Sequence, residues 1–186
     1  IPAQKIKFIF TSIYNGKNYS STLSFGSAQN QANKNLVFSS EAEINGLHIN
    51  YNLKSSAGKK LLTIYSGPSL TIGADVVTSQ TDENGNIDLL YPSIAIRGGN
   101  TEQMVQNSTL VVHSGTYQYL IAGNGINTMT TAEVEIFGST RIYSFLQCGG
   151  IAKDVSTVSL QINGGEIENL YVDGYSACLL YTSDAA

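Results

Sequence analysis

Leu62-Thr63-Ile64-Tyr65-Ser66-Gly67-Pro68-Ser69-Leu70-Thr71-Ile72-Gly73 is the stretch whose reading decides the fold. Its opening five residues run apolar, any residue, apolar, any residue, small. The same phrase occurs as Phe8-Ile9-Phe10-Thr11-Ser12, Leu36-Val37-Phe38-Ser39-Ser40, Leu110-Val111-Val112-His113-Ser114, Val134-Glu135-Ile136-Phe137-Gly138 and Leu160-Gln161-Ile162-Asn163-Gly164. In chain order the steps are 28, 26, 48, 24 and 26 residues, and 48 is twice 24. Alternation sends successive side chains to opposite faces of a strand. A unit of this length cannot close a core by itself, so its apolar face is buried against its neighbours, which is the logic of a β-solenoid. The phrase predicts that Phe10, Phe38, Ile64, Val112, Ile136 and Ile162 share one interior column.

The step of 48 asks for a further copy. Gly67-Pro68-Ser69-Leu70-Thr71-Ile72 is echoed 24 residues on by Tyr91-Pro92-Ser93-Ile94-Ala95-Ile96, and later small-residue corners follow at Gly115-Thr116, Ser139-Thr140 and Gly165-Glu166. The first strand of that copy falls on Ile87-Asp88-Leu89-Leu90, one residue out of phase, as a deletion or bulge would leave it. Alternatively Asn84-Gly85 closes a two-residue hairpin between Val76-Val77 and Ile87 to Leu90, a local excursion from the coil. The rival fold is a β-sandwich made of hairpins. Helix signals are nearly absent, and the Asn-rich stretch from Gln29 to Asn35 reads as a loop. Turn punctuation is frequent, from Asn15-Gly16 to Gly164-Gly165.

In the last three coils the segments Tyr117 to Gly123, Arg141 to Gln147 and Ile167 to Asp173 align. One alternate set, Leu120, Ala122, Leu146, Leu170 and Val172, is aliphatic apart from Ser144 and is expected to face inward. The other set, Tyr119, Ile121, Tyr143, Phe145, Asn169 and Tyr171, is expected outward. Coils about 4.8 Å apart turn such positions into continuous columns.

These coils resemble the right-handed parallel β-helix of the pectate-lyase-like type and, more closely, the repetitive adhesin-like surface proteins of anaerobic gut bacteria. The phrases that carry the likeness are Leu62 to Gly73 and Leu160-Gln161-Ile162-Asn163-Gly164-Gly165-Glu166-Ile167, and it covers about Leu36 to Ala177. The expected fold is therefore all-β, a right-handed parallel β-helix with about 24–26 residues per coil. The likeness implies a secreted or bacterial cell-surface protein. It does not imply one activity, because that scaffold carries lyases, hydrolases and adhesins alike.

The last nine residues, Cys178 to Ala186, match the translation of a transposase sequencing adapter in one frame. The expected organisation is a solenoid fragment over residues 1–177, about seven coils with residues 1–35 fitting the repeat least well, followed by an adapter-derived tail over 178–186. The plain alternative is an ordinary final strand at Leu179-Leu180-Tyr181. On the adapter reading the natural chain continues past Ala177 into further coils. The chain starts at Ile1, with no Met or recognisable signal peptide, and the sequence reads as a metagenomic fragment.

Charged residues make up only 13% of the chain, and the formal charge is −4. Without Asp184 there are 13 acids against 10 bases, or −3. That balance offers no basic patch for nucleic acid, and no apolar run approaches a membrane helix. With Cys178 set aside, Cys148 stands alone and reads as a small turn or core residue. Neither His48 nor His113 has an acid at an obvious dyad spacing.

Glu133 and Glu135 share a strand face, with Asp154 and Arg141 about a coil away. Held at the right separation such acids could serve glycoside hydrolysis, but solvated outward residues are the plainer reading. No catalytic pattern is matched, so no catalytic residue is assigned. The run Thr81 to Asp88 is rich in oxygen ligands, yet Ser93 stands where a calcium loop needs Glu, so a polar turn is expected. No metal site and no cofactor are assigned. Asn18-Tyr19-Ser20 and Asn107-Ser108-Thr109 fit a glycosylation sequon that would be idle in a bacterium.

The remaining candidate site is the outward aromatic set Tyr119, Tyr143, Phe145 and Tyr171, whose rings suit stacking on sugars, although such ladders also stabilise sheets. The expected function is a non-catalytic adhesin or structural spacer touching polysaccharide or host glycan. A carbohydrate-active enzyme of pectate-lyase-like fold and a carbohydrate-binding module are the alternatives.

Overall fold

The computed structural model of the chain describes residues 6–26, 33–52, 60–82, 84–101, 103–123, 128–150, 155–171 and the strand Cys178–Tyr181. Those residues form an all-β solenoid of about 5 turns without a helix. Each turn contributes to three ladders of parallel strands. The first stacks Lys7–Thr11, Glu41–Asn45, Ser69–Ile72, the start of Asn107–Ile121, the start of Met129–Gln147, and Val155–Asn163. Cys178–Tyr181 then pairs with Val155–Asn163 in the same sense. The second ladder begins with Thr22–Phe25, His48–Asn52 and Val77–Thr81. It resumes where residues 114–117 pair with 139–142, and these with Glu166–Ile167. The third stacks Lys34–Val37, Leu62–Tyr65, Ile94–Arg97, the end of Asn107–Ile121, the end of Met129–Gln147, and Leu170–Tyr171. This parallel register rules out the all-hairpin sandwich.

The core runs up the middle as apolar columns, and two of them replace the single column expected from the phrase. Phe10, Ile44, Ile72, Val112, Ile136 and Ile162 align in the first ladder. Leu36, Ile64, Ile96, Leu120, Leu146 and Leu170 align in the third, although Leu170, expected inward, is exposed because no further strand among the described residues is stacked on its coil there. Ile64 thus belongs to a different column from Val112. Phe38 follows the end of its strand and packs against Phe10, their ring centres 5.6 Å apart. The cause is that both ladders use the same alternating phrase, which carries no mark of which ladder it occupies. Leu62 and Leu70, eight residues apart, each begin a strand of that type. The second ladder's turn is bridged at Thr78, whose hydroxyl donates to the Thr116 carbonyl and accepts from the Thr116 N–H, both at 2.7 Å.

Coil length is uneven. Register advances from Leu70 to Leu110 in one turn and then from Leu110 to Val134 and Leu160. The echo at Tyr91 to Ile96 therefore lies on the third ladder, where Ile94 pairs with Leu62 rather than with Leu70. The residues preceding it are the excursion. Gln80 pairs with Asp88 and Thr81 with Ile87 in an antiparallel hairpin, so Ile87 to Leu90 is no strand of the stack. The connecting loop is longer than two residues, because Asp82 organises it. Its carboxylate accepts from the amides of Asn84 and Asn86 and from the Asn86 side chain, at 2.8 to 2.9 Å. The two-residue turn does occur at Asn15-Gly16, where both residues have positive φ between Ile13–Tyr14 and Lys17–Asn18.

Several polar groups inside the corners are paired, as burial favours. Ser66 and Ser108 share a 2.7 Å hydrogen bond, and Asn100 donates to the Phe38 carbonyl at 3.0 Å. Buried Tyr117 donates to the Ser114 carbonyl at 3.0 Å. A Cβ on Gly115 would lie 2.5 Å from the Tyr117 hydroxyl, and φ there is +95°, so only glycine fits this corner.

Candidate functional site

The four expected aromatic residues divide into two groups. Tyr119 and Phe145 are in register on the third ladder, and their rings stack nearly parallel, 5.1 Å between centres and 5° between planes. Tyr171 pairs with Gln147, two positions farther along, so its ring reaches Phe145 diagonally at 5.8 Å and 59°. Arg97 extends the row: its guanidinium lies 5.5 Å from the Tyr119 ring centre and donates to the Tyr119 hydroxyl at 2.9 Å. Tyr119 and Phe145 are half-buried, because each covers a face of the other, whereas Tyr171 is exposed. Ile121, expected outward with them, is buried.

Tyr143 leaves this row because of a bulge. Tyr117 pairs with Ile142 and Tyr119 with Phe145, so Tyr143 and Ser144 together stand opposite Gln118 alone. An extra residue re-aims the side chain beside it. The Ser144 break in the alternation was the sequence signal of this bulge. Tyr143 meets Tyr91 edge to face, 5.1 Å between centres and 89° between planes. Burial, with the Asp88 carboxylate and Tyr91 beside it, pushes the Tyr143 phenol above its ordinary value.

Tyr91 was not among the expected site residues, and it is what gives the second group a cleft. A cavity of about 640 Å³ is lined by Tyr91, Arg141, Tyr143, Glu166 and Glu168. Arg141 lies 6.0 Å from the Tyr91 ring centre and pairs with Glu166 at 3.2 Å. Such a site offers ring faces for apolar contact and charged groups for hydrogen bonds to hydroxyls.

Among the described residues the acids weighed for catalysis do not converge. Glu133 and Glu135 point outward from the first ladder, and Glu133 accepts from the Thr109 hydroxyl at 3.1 Å. Arg141 belongs to the second ladder, and Asp154 lies outside the described residues. Asp82 is held below the ordinary carboxylate range by its hydrogen bonds to Asn86 and Asn84, so its oxygens serve the turn. No group of three His, Cys, Asp or Glu side chains placed to hold a metal ion occurs among the described residues. The Cys148 thiol is buried and pushed up to about 11 by that burial. His48 has a partner the sequence did not suggest, the Ser79 hydroxyl at 2.7 Å. Ser79 in turn lies 2.7 Å from the Asn50 amide oxygen and is fully buried, which keeps it from any substrate. No helix among the described residues is long and apolar enough to cross a membrane.

No family model, no curated protein and no solved structure matches the chain.

Proposed function

We propose that the chain is a non-catalytic stretch of a secreted or cell-surface bacterial β-solenoid, an adhesin or structural spacer of the kind its repeats resemble, and that its outer aromatic residues contact glycan. The observation that carries the reading is the pair of aromatic groups on the outer surface, Tyr119–Phe145–Tyr171 and Tyr91–Tyr143, mounted on a stack whose own stability comes from its interior columns. Aromatic side chains with one wet edge are suited to sugars, which present an apolar ring face bordered by hydroxyls. A stack of parallel strands fixes their spacing without needing a ligand to order them.

The test is a pull-down of the chain on a panel of insoluble plant polysaccharides and mucin. Retention by at least one glycan is expected, weakened when Tyr143→Ala and Phe145→Ala are combined in a chain that remains folded. No retention on any glycan, or retention untouched by the double substitution, ends the reading. Release of reducing ends or unsaturated sugars from a bound polysaccharide would favour a carbohydrate-active enzyme instead.

A further inference from the structure

The hairpin excursion does more than interrupt a coil. Its return segment, Ile87 to Tyr91, crosses the outer surface of the stack as a strap. The strap is tied to Gln80, whose side-chain oxygen accepts from the Ser93 N–H at 3.2 Å and the Ser93 hydroxyl at 2.8 Å. Asp88 shapes it by accepting from the amides of Leu90 and Tyr91 at 2.8 and 3.0 Å. Leu89 faces one cavity beside Gly115, Thr116 and Ser139. Tyr91 reaches past that coil to Tyr143 on the next and closes one side of the 640 Å³ cleft. Tyr91 is 51% exposed, although its ring is held on one side by Tyr143 and on another by Arg141.

The charges at this cleft are unequal. Arg141 is matched by Glu166. Asp88, near Tyr143, is committed to the strap amides. Glu168 lines the cleft with no hydrogen bond or ion pair from its carboxylate to another described residue. A ligand therefore meets a ring, a neutralised ion pair and one free carboxylate, and an acidic sugar would be repelled while a cationic one is attracted.

We propose that the cleft between the strap and the last coils binds amino-sugar units of a glycan, Tyr91 stacking on the sugar ring and Glu168 taking the ammonium group. This rests on the glycan-contacting reading above and specifies its site and ligand class.

Binding of three soluble probes by isothermal titration separates the two. They are a glucosamine oligomer at a pH where its amines are protonated, its N-acetylated counterpart, and an oligogalacturonate. The glucosamine oligomer is expected to bind best. Tyr91→Ala should weaken it about tenfold, the upper end of what one aromatic contact supplies. Glu168→Gln should weaken it about threefold, in line with an exposed ion pair, and added salt should remove that difference. Glu133→Gln, on the first ladder away from the cleft, should leave this binding unchanged, and the circular dichroism of each variant reports its fold. Equal or tighter binding of the N-acetylated or acidic oligomer overturns the amino-sugar assignment. Binding insensitive to Tyr91→Ala but lost with Tyr171→Ala moves the site to the other aromatic group, overturning the cleft while the glycan reading stands. No binding of any probe overturns the cleft proposal, and the glycan reading falls with it only if the insoluble panel also fails.

Discussion

The two halves of the stack carry the same three ladders in different ways. From Asn107 onward, Asn107–Ile121 and Met129–Gln147 run as single long strands through their corners, and successive coils match nearly residue for residue. Before Asn107 each coil is cut into short strands separated by inserts, the longest being the hairpin and strap between Val77–Thr81 and Ile94–Arg97. The regular half supplies rigidity and a repeated outer surface. The irregular half supplies the one feature that no repeat could, a side chain carried across the stack to Tyr143. Individuality in such a protein resides in its inserts, and stability in the columns beneath them.

That division is tested most severely in the interior. Ile136 is fully buried in the first ladder, between Val112 and Ile162. Ile136→Ala should cost about 3–4 kcal/mol by urea unfolding, the usual range for a cavity in a packed core. Phe10 occupies the same column at the outermost strand and is 39% exposed. Phe10→Ala should cost about 1–2 kcal/mol despite removing a larger side chain, since much of its surface is already in water. Equal losses at the two positions would mean that burial does not fade toward that strand as the columns imply.

Corners sharpen the same contrast. Gly115 and Gly85 both have positive φ, but only Gly115 is crowded, by the buried Tyr117 hydroxyl. Gly115→Ala should cost about 2–3 kcal/mol, combining backbone strain with overpacking. Gly85→Ala, with open space around it, should cost about 1 kcal/mol from backbone strain alone. Thermal unfolding of the two variants side by side gives the comparison.

These regions also differ in how far they can be read from the sequence. Val134-Glu135-Ile136 and Leu160-Gln161-Ile162 are legible because period-two alternation at a fixed interval has one physical reading, a stacked strand with one face inside. Ile64 was legible as an interior residue but not as a member of its column, since alternation reports a face and not a ladder. Half of the aromatic surface was legible in the same limited sense. Tyr119 and Phe145 pair as their spacing suggests, whereas the bulge at Tyr143-Ser144 breaks the row at a place where one interrupted alternation was the only sign. Tyr91 carried no signal at all. Its contact with Tyr143 depends on where a hairpin lands after crossing another coil, and nothing local encodes that.

A smaller effect distinguishes the buried part of the regular half from its surface. Cys148 is enclosed and its thiol is pushed up to about 11, so little thiolate exists near neutral pH. In the folded chain it should react with a thiol reagent at least tenfold more slowly than in urea. Reaction at the unfolded rate would place Cys148 on an accessible corner and remove it from the core.

The slightest effect belongs to the insert. Asp82 holds the hairpin loop through the amides of Asn84 and Asn86, and those bonds lower its carboxyl below the ordinary value. A depressed folded-state value means the loop is stabilised while the carboxylate is ionised. That contribution is complete above the ordinary carboxylate range and disappears as pH falls through the lowered value, in the region below about pH 4. Amide exchange at Asn84 and Asn86 should therefore quicken, relative to model peptides, on acidification through that range. Exchange in the columns around Val112 and Ile136 should stay slow. Asp82→Asn should make the loop amides insensitive to that acidification, because the neutral amide oxygen can accept hydrogen bonds at every pH while titrating at none. If the loop amides of the unaltered chain are equally insensitive, the carboxylate does not hold the turn, and Tyr91 owes its position over Tyr143 to the tie at Gln80 and the bonds from Asp88 rather than to the loop.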